Sequence, residues 1–161
     1  MRRTLFVWGG IGLIAALLAL VGIVSTAGLC LAQTRADLRA GAYADMGGVA
    51  LGAGLVSPLA SEPSWSFNPN FEAAFADRRN EITLNADFTY ALAGPSSVVP
   101  YLGAGPALLM RHADGGDTRT DAGLNLIGGF ASPQGEVRPF VQVKGILSSD
   151  SEVGLIGGVR F

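Results

Sequence analysis

Cysteine and histidine each occur once among the 161 residues, at Cys30 and His112. A single cysteine excludes an intramolecular disulfide framework and any CxxC zinc or redox site. Charge is also scarce: 15% of residues are charged against 49% hydrophobic, and the mean hydropathy is +0.39. That balance argues against intrinsic disorder. A net charge of −2 argues against a nucleic-acid binder, which presents a basic face. Long amphipathic helical patterns are missing, as are low-complexity tails and repeats longer than a hairpin. Glycine, in contrast, is abundant at 23 positions, in a chain sized for one domain or two small ones.

Residues 1–32 differ in composition from the rest. Arg2 and Arg3 open the chain, Leu5 to Val24 carries no charge, and small residues follow at Ser25, Thr26, Ala27 and Gly28. Basic, then apolar, then small is the order of a secretory signal peptide. Cleavage is expected after Ala32, with Ala27 the alternative, so that residues 33–161 form the mature domain. A retained membrane anchor is the rival reading, since about 20 apolar residues span a bilayer. Four glycines dilute this run, and the small-residue exit favours cleavage.

Beyond the leader the hydrophobic period is two, the pattern of half-buried strands. Trp65, Phe67, Pro69, Phe71, Ala73 and Phe75 alternate with Ser66, Asn68, Asn70, Glu72 and Ala74. After the short "DRRN" connection, Ile82, Leu84, Ala86, Phe88 and Tyr90 alternate with Glu81, Thr83, Asn85, Asp87 and Thr89. Six weaker segments, at 36–45, 48–58, 99–111, 119–131, 136–147 and 151–161, bring the expectation to eight antiparallel strands in one domain. Pro69, Pro106 and Pro139 fall inside proposed strands, where each removes a ladder donor.

Such a barrel can be soluble, with an apolar interior, or transmembrane, with an apolar exterior and a polar lumen. The polar face carries Arg39, Arg111, Arg138, Lys144 and Arg160 together with Glu72, Glu81, Asp87, Asp121 and Glu152. Arginine mixed with carboxylates and little lysine suits a narrow lumen, where charges are tolerated only in pairs. These ten residues are expected to pair across the lumen and lock it. Glycines at 52, 54, 103, 105, 123 and 154 relieve crowding in so small a bore. Trp65, Tyr90, Tyr101, Phe130 and Phe161 lie near strand ends, where membrane-interface aromatics belong.

The last segment, "SEVGLIGGVRF", places Val153, Leu155, Val159 and the terminal Phe161 on one face. A final strand closed by an aromatic residue resembles the end of Gram-negative outer-membrane β-barrel proteins, in particular the small porin-like barrels of OmpA–OmpX type. "VVPYLGAGPALLMR", "TDAGLNLIGGF" and "VRPFVQVKG" are similar to later strands of that family. The resemblance implies an eight-stranded up-and-down transmembrane β-barrel in the outer membrane, with outer-membrane lipid around it. It also implies that the barrel assembly machinery reads Val153, Leu155, Val159 and Phe161. A closed barrel has no open edge to cover, and a monomer is the expectation.

Candidates for chemistry are few. Some barrels of this kind modify lipid A, which needs a nucleophile beside a base. His112 lies in "RHADGGDT" with no His-x-Ser arrangement and is expected on a loop. Asp114, Asp117 and Asp121 lack EF-hand spacing, and the glycine-rich pieces open no helix as a phosphate loop would. No catalytic residue, metal or cofactor is expected. The role is structural or envelope-associated; a soluble lipocalin-like barrel holding an apolar ligand and a lipid-modifying enzyme are the alternatives.

Overall fold

The strongest alternation in the sequence builds the hairpin around which the rest closes. Trp65–Phe75 and Arg79–Ala91 pair antiparallel in continuous register, Trp65 opposite Tyr90 and Phe75 opposite Asn80. A computed structural model describes residues 33–59, 62, 64–77, 79–93, 97–113 and 118–161. The leader at 1–32 and its cleavage site lie outside the described residues.

Eight strands follow in order: β1 (Arg35–Tyr43), β2 (Gly48–Pro58), β3 (Trp65–Phe75), β4 (Arg79–Ala91), β5 (Val99–Ala113), β6 (Thr118–Ala131), β7 (Arg138–Leu147) and β8 (Glu152–Arg160). Each pairs antiparallel with its sequence neighbour, and β8 returns to β1, closing the barrel. Closure pairs every strand on both sides and leaves no edge. The β1–β2, β3–β4, β5–β6 and β7–β8 connections gather at one end, here the loop end; the other three, with both ends of the barrel domain, define the turn end.

Two of the three prolines, Pro69 and Pro106, coincide with ladder interruptions. In the β2–β3 ladder, pairing skips Leu55 and Val56 opposite Asn68 and Pro69. In the β4–β5 ladder it skips Ala86 and Asp87 opposite Gly105 and Pro106. Pro139 sits at the start of β7. A missing N–H costs least where the ladder is already open.

The two faces are inverted relative to a water-soluble protein. Leu38, Leu51, Leu55, Phe71, Leu102, Leu126, Val143 and Leu155, from strands all round the barrel, are 47–59% exposed on the outer face. Inside, Arg39, Glu72, Asp87, Lys144 and Glu152 are among the most deeply buried residues. Two groups of apolar residues pack within the lumen. Leu109, Ile146, Ile156 and the Tyr43 ring pack with Ala50, Ala74 and Ala107 toward the loop end, and Tyr101, Ile127, Ala131 and Phe140 pack toward the turn end.

Candidate functional site

The inward face of β1 runs Asp37, Arg39, Gly41, Tyr43, and this strand supplies the centre of the lumen. Arg39 donates to both oxygens of Asp37, at 3.0 and 2.6 Å, and its other terminal nitrogen reaches Glu72 on β3 at 3.2 Å. Glu72 also accepts from the Tyr43 hydroxyl at 2.5 Å and from Lys144 Nζ on β7 at 3.1 Å. One carboxylate thus joins three strands, and Lys144 and Glu72 have almost no exposure. Each added hydrogen bond offsets part of the desolvation these charges incur.

Asp87 has a different solution. Its two oxygens accept from Asn70 Nδ2 at 2.9 Å and Asn125 Nδ2 at 2.7 Å. Asn85 joins the same group, donating to Asn70 Oδ1 at 2.9 Å and accepting from Asn125 at 2.8 Å. Amide donors, rather than a cation, hold this charge.

A second ionic tier closes the loop end, beyond the Leu109–Ile146–Ile156 layer. Arg111 donates to Glu81 at 2.6 Å, to Asp121 at 2.9 Å and to Glu152 at 3.4 Å, and it also reaches the Asp150 carbonyl at 3.1 Å. Arg79, next to the β3–β4 connection, donates to Glu152 at 2.5 Å. Arg119 pairs with Asp121 from the solvent side at 3.0 Å. Four strands and the β7–β8 connection meet on one guanidinium, whose planar five-donor fork suits several acceptors at once.

The expected ten-residue network therefore divides. The structure brings Arg39, Glu72 and Lys144 together in one tier, and Arg111, Glu81, Asp121 and Glu152 in another. Asp87, Arg138 and Arg160 form no ion pair among the described residues, which corrects the expectation that all ten pair. Arg138 lies at the turn-end mouth and donates from Nε to the Gly135 carbonyl at 3.1 Å. Arg160 stacks on the rings of Phe140 and Tyr101, 4.6 and 5.4 Å from their centroids, a cation–π arrangement.

Asp37, Tyr43, Arg79 and the asparagines were not singled out as partners by sequence reasoning. Asp37 stands two residues before Arg39 and shares its face, which was the available signal. Tyr101, expected in the interface belt, points inward, is 5% exposed and donates to Gln142 Oε1 at 2.9 Å. Its parity with Arg111 on β5 puts it there. Trp65, Tyr90, Phe130 and Phe161 are exposed on the outside, and the Trp65 and Tyr90 rings pair at 5.1 Å.

On β8, Val153 and Leu155 point outward in line with Phe161, while Val159 on the same face is half-buried. The Phe161 amide donates to the Ala36 carbonyl at 2.9 Å, extending the β1–β8 seam to the last residue.

His112 is a strand residue, not a loop residue. Pairing of Arg111 with Arg119 and His112 with Thr118 carries the β5–β6 hairpin past the expected end. The imidazole is exposed on the outer face with Nδ1 3.1 Å from Thr118 Oγ1. Asp114 and Asp117 lie outside the described residues; Asp121 faces the lumen and is taken by Arg111 and Arg119. Among the described residues no group of His, Cys, Asp or Glu could hold a metal ion.

No family profile matches the chain, and no curated protein matches it in sequence. Solved structures do match in fold. The N-terminal β-barrel domain of Pseudomonas aeruginosa OprF superposes with a TM-score of 0.64 at 15% identity, covering 80% of this chain and 96% of that one. Neisserial surface protein A superposes with a TM-score of 0.59 at 18% identity, covering 79% and 92%. The chain has the closed eight-stranded antiparallel architecture of these barrels.

Proposed function

We propose that the chain is an integral outer-membrane β-barrel with a structural, envelope-associated role, no catalytic chemistry, and a lumen plugged by its own side chains. The carrying observation is the inversion of the faces: aliphatic and aromatic side chains cover the outside of all eight strands, while ion pairs fill the inside. In water such an outer face would drive association. In lipid it is the favourable surface, and a closed barrel satisfies its backbone hydrogen bonds internally. The fold shared with the OprF barrel domain and neisserial surface protein A supports the same setting.

A soluble lipocalin-like barrel would need the opposite arrangement, an apolar cavity inside a polar shell, and nothing supports it. A lipid-modifying enzyme would need a base and a nucleophile beside His112, whose recorded partner is the Thr118 hydroxyl. In the proposed orientation the turn end faces the periplasm and the loop end faces outward. Outer-membrane lipid surrounds a monomer, and the assembly machinery engages the final strand through Val153, Leu155, Val159 and Phe161.

Carbonate-washed membranes test the reading when combined with gels of unheated and boiled samples. The expected result is a membrane-bound protein whose migration shifts on boiling, with the shifted fraction reduced by deletion of Phe161. Release by carbonate and no shift would contradict the proposal. Planar-bilayer recordings test the plug separately: no stable large conductance is expected, and a stable open state would overturn it.

A further inference from the structure

The two ends of the lumen carry different electrostatics. At the loop end the described inward arginines, Arg79 and Arg111, each meet a carboxylate. At the turn end there is a cavity of about 480 Å³ lined by Arg35, Arg138 and Arg160, with no acidic residue among the described residues of its wall. The volume falls in the range of small-molecule sites. Hydroxyls of Ser66, Thr89 and Ser132 lie in the same wall.

Among the described residues none of the three guanidiniums is neutralised by an ion pair. Among the described residues, Arg35 and Arg138 donate to backbone carbonyls of the β6–β7 connection, Glu136 at 3.5 Å and Gly135 at 3.1 Å. Arg160 is stacked on Phe140 and Tyr101, and its buried Nε has no hydrogen-bond partner. Asp37 lies across the β1–β8 ladder from Arg160, but Arg39 occupies both its oxygens. Asp87 is bound by amides, and Glu62 and Glu136 are exposed and outside the cavity wall. Converging guanidiniums without acids repel one another, and the arrangement is stabilised when an anion enters between them. Each keeps unspent N–H groups in a planar fork that matches tetrahedral oxyanions.

We infer that the turn-end cavity is a binding site for a phosphate-type oxyanion, clamped by Arg35, Arg138 and Arg160 and supported by the hydroxyls of the wall. The phosphate is either free or carried on a lipid headgroup. The inference does not depend on the membrane setting, because the cavity opens at the end of the barrel and not on its outer face.

The test uses the full chain in a maltoside detergent, which carries no phosphate. Inorganic phosphate is titrated against sodium chloride at matched ionic strength, with unfolding temperature and calorimetric heat as readouts. A second arm adds dihexanoyl phosphatidic acid to the micelles, with dihexanoyl phosphatidylcholine as control. Saturable stabilisation by inorganic phosphate or by the phosphatidic acid is expected. Arg35→Gln and Arg138→Gln, both at the rim, should each weaken it about tenfold, the size of one lost charge-assisted contact. Arg119→Gln at the opposite mouth should leave it unchanged. Whichever arm saturates at lower concentration identifies the source of the phosphate. No stabilisation beyond chloride in either arm, or stabilisation untouched by the rim substitutions, would overturn the site.

Discussion

Glu72 is the residue on which the lumen depends most. Arg39, Tyr43 and Lys144 all donate to it, from two other strands, in surroundings from which water is excluded. Removing one partner of a buried pair leaves the other charge uncompensated, at a cost of about 3–5 kcal/mol. Glu72→Gln is therefore expected to lower unfolding stability in lipid vesicles by that order. Glu72→Gln combined with Lys144→Met removes both charges and should recover a substantial part of the loss. Simple additivity of the two single effects would show that the pair is not coupled. Asp87 has a different dependence: because Asn70 and Asn125 bind it, Asn125→Leu should be costly even though no cation is touched.

At the scale of the strand, β8 packs against β1 and β7 through inward glycines that leave room for large rings. A Cβ on Gly154 would lie 2.8 Å from the Tyr43 ring, and one on Gly158 would lie 2.6 Å from the Phe140 ring. Neither ring can withdraw freely, since Tyr43 is tied to Glu72 and Phe140 lies under Arg160. Gly154→Val is expected to cost about 1–3 kcal/mol by overpacking, measured as a lower urea midpoint and a smaller boiling-dependent gel shift. An unchanged midpoint would mean that the seam has slack.

Much of this level was legible in the sequence. Alternation located all eight strands, because period two assigns each side chain to a face with little dependence on tertiary context. Strand ends were less clear: His112 and Thr118 extend a hairpin expected to end at Arg111 and Arg119. The partners of the charges were not legible, for a geometric reason. Parity states that Asp87 and Arg138 point inward, but not their height along the axis. Height depends on register and strand tilt, and these put asparagines beside Asp87 and a mouth beside Arg138. Tyr101 shows the reverse error, in which position near a strand end outweighed parity.

For the whole molecule, the scarcity of charge and the excess of apolar residues have one physical origin. Most of the large apolar side chains are on the outside, and most of the inward charges pair with one another. Hydrophobic burial in water cannot organise such a barrel; lipid outside and ionic tiers inside can. Tryptophan fluorescence tests that claim most directly. Leu126, on the outer face of β6, is replaced by tryptophan in a Trp8→Phe, Trp65→Phe background, and the protein is refolded into vesicles. Bromine-labelled acyl chains should quench Leu126→Trp strongly, while aqueous iodide should have little effect. Strong quenching by iodide, with none from brominated lipid, would place that face in water and contradict the inside-out reading.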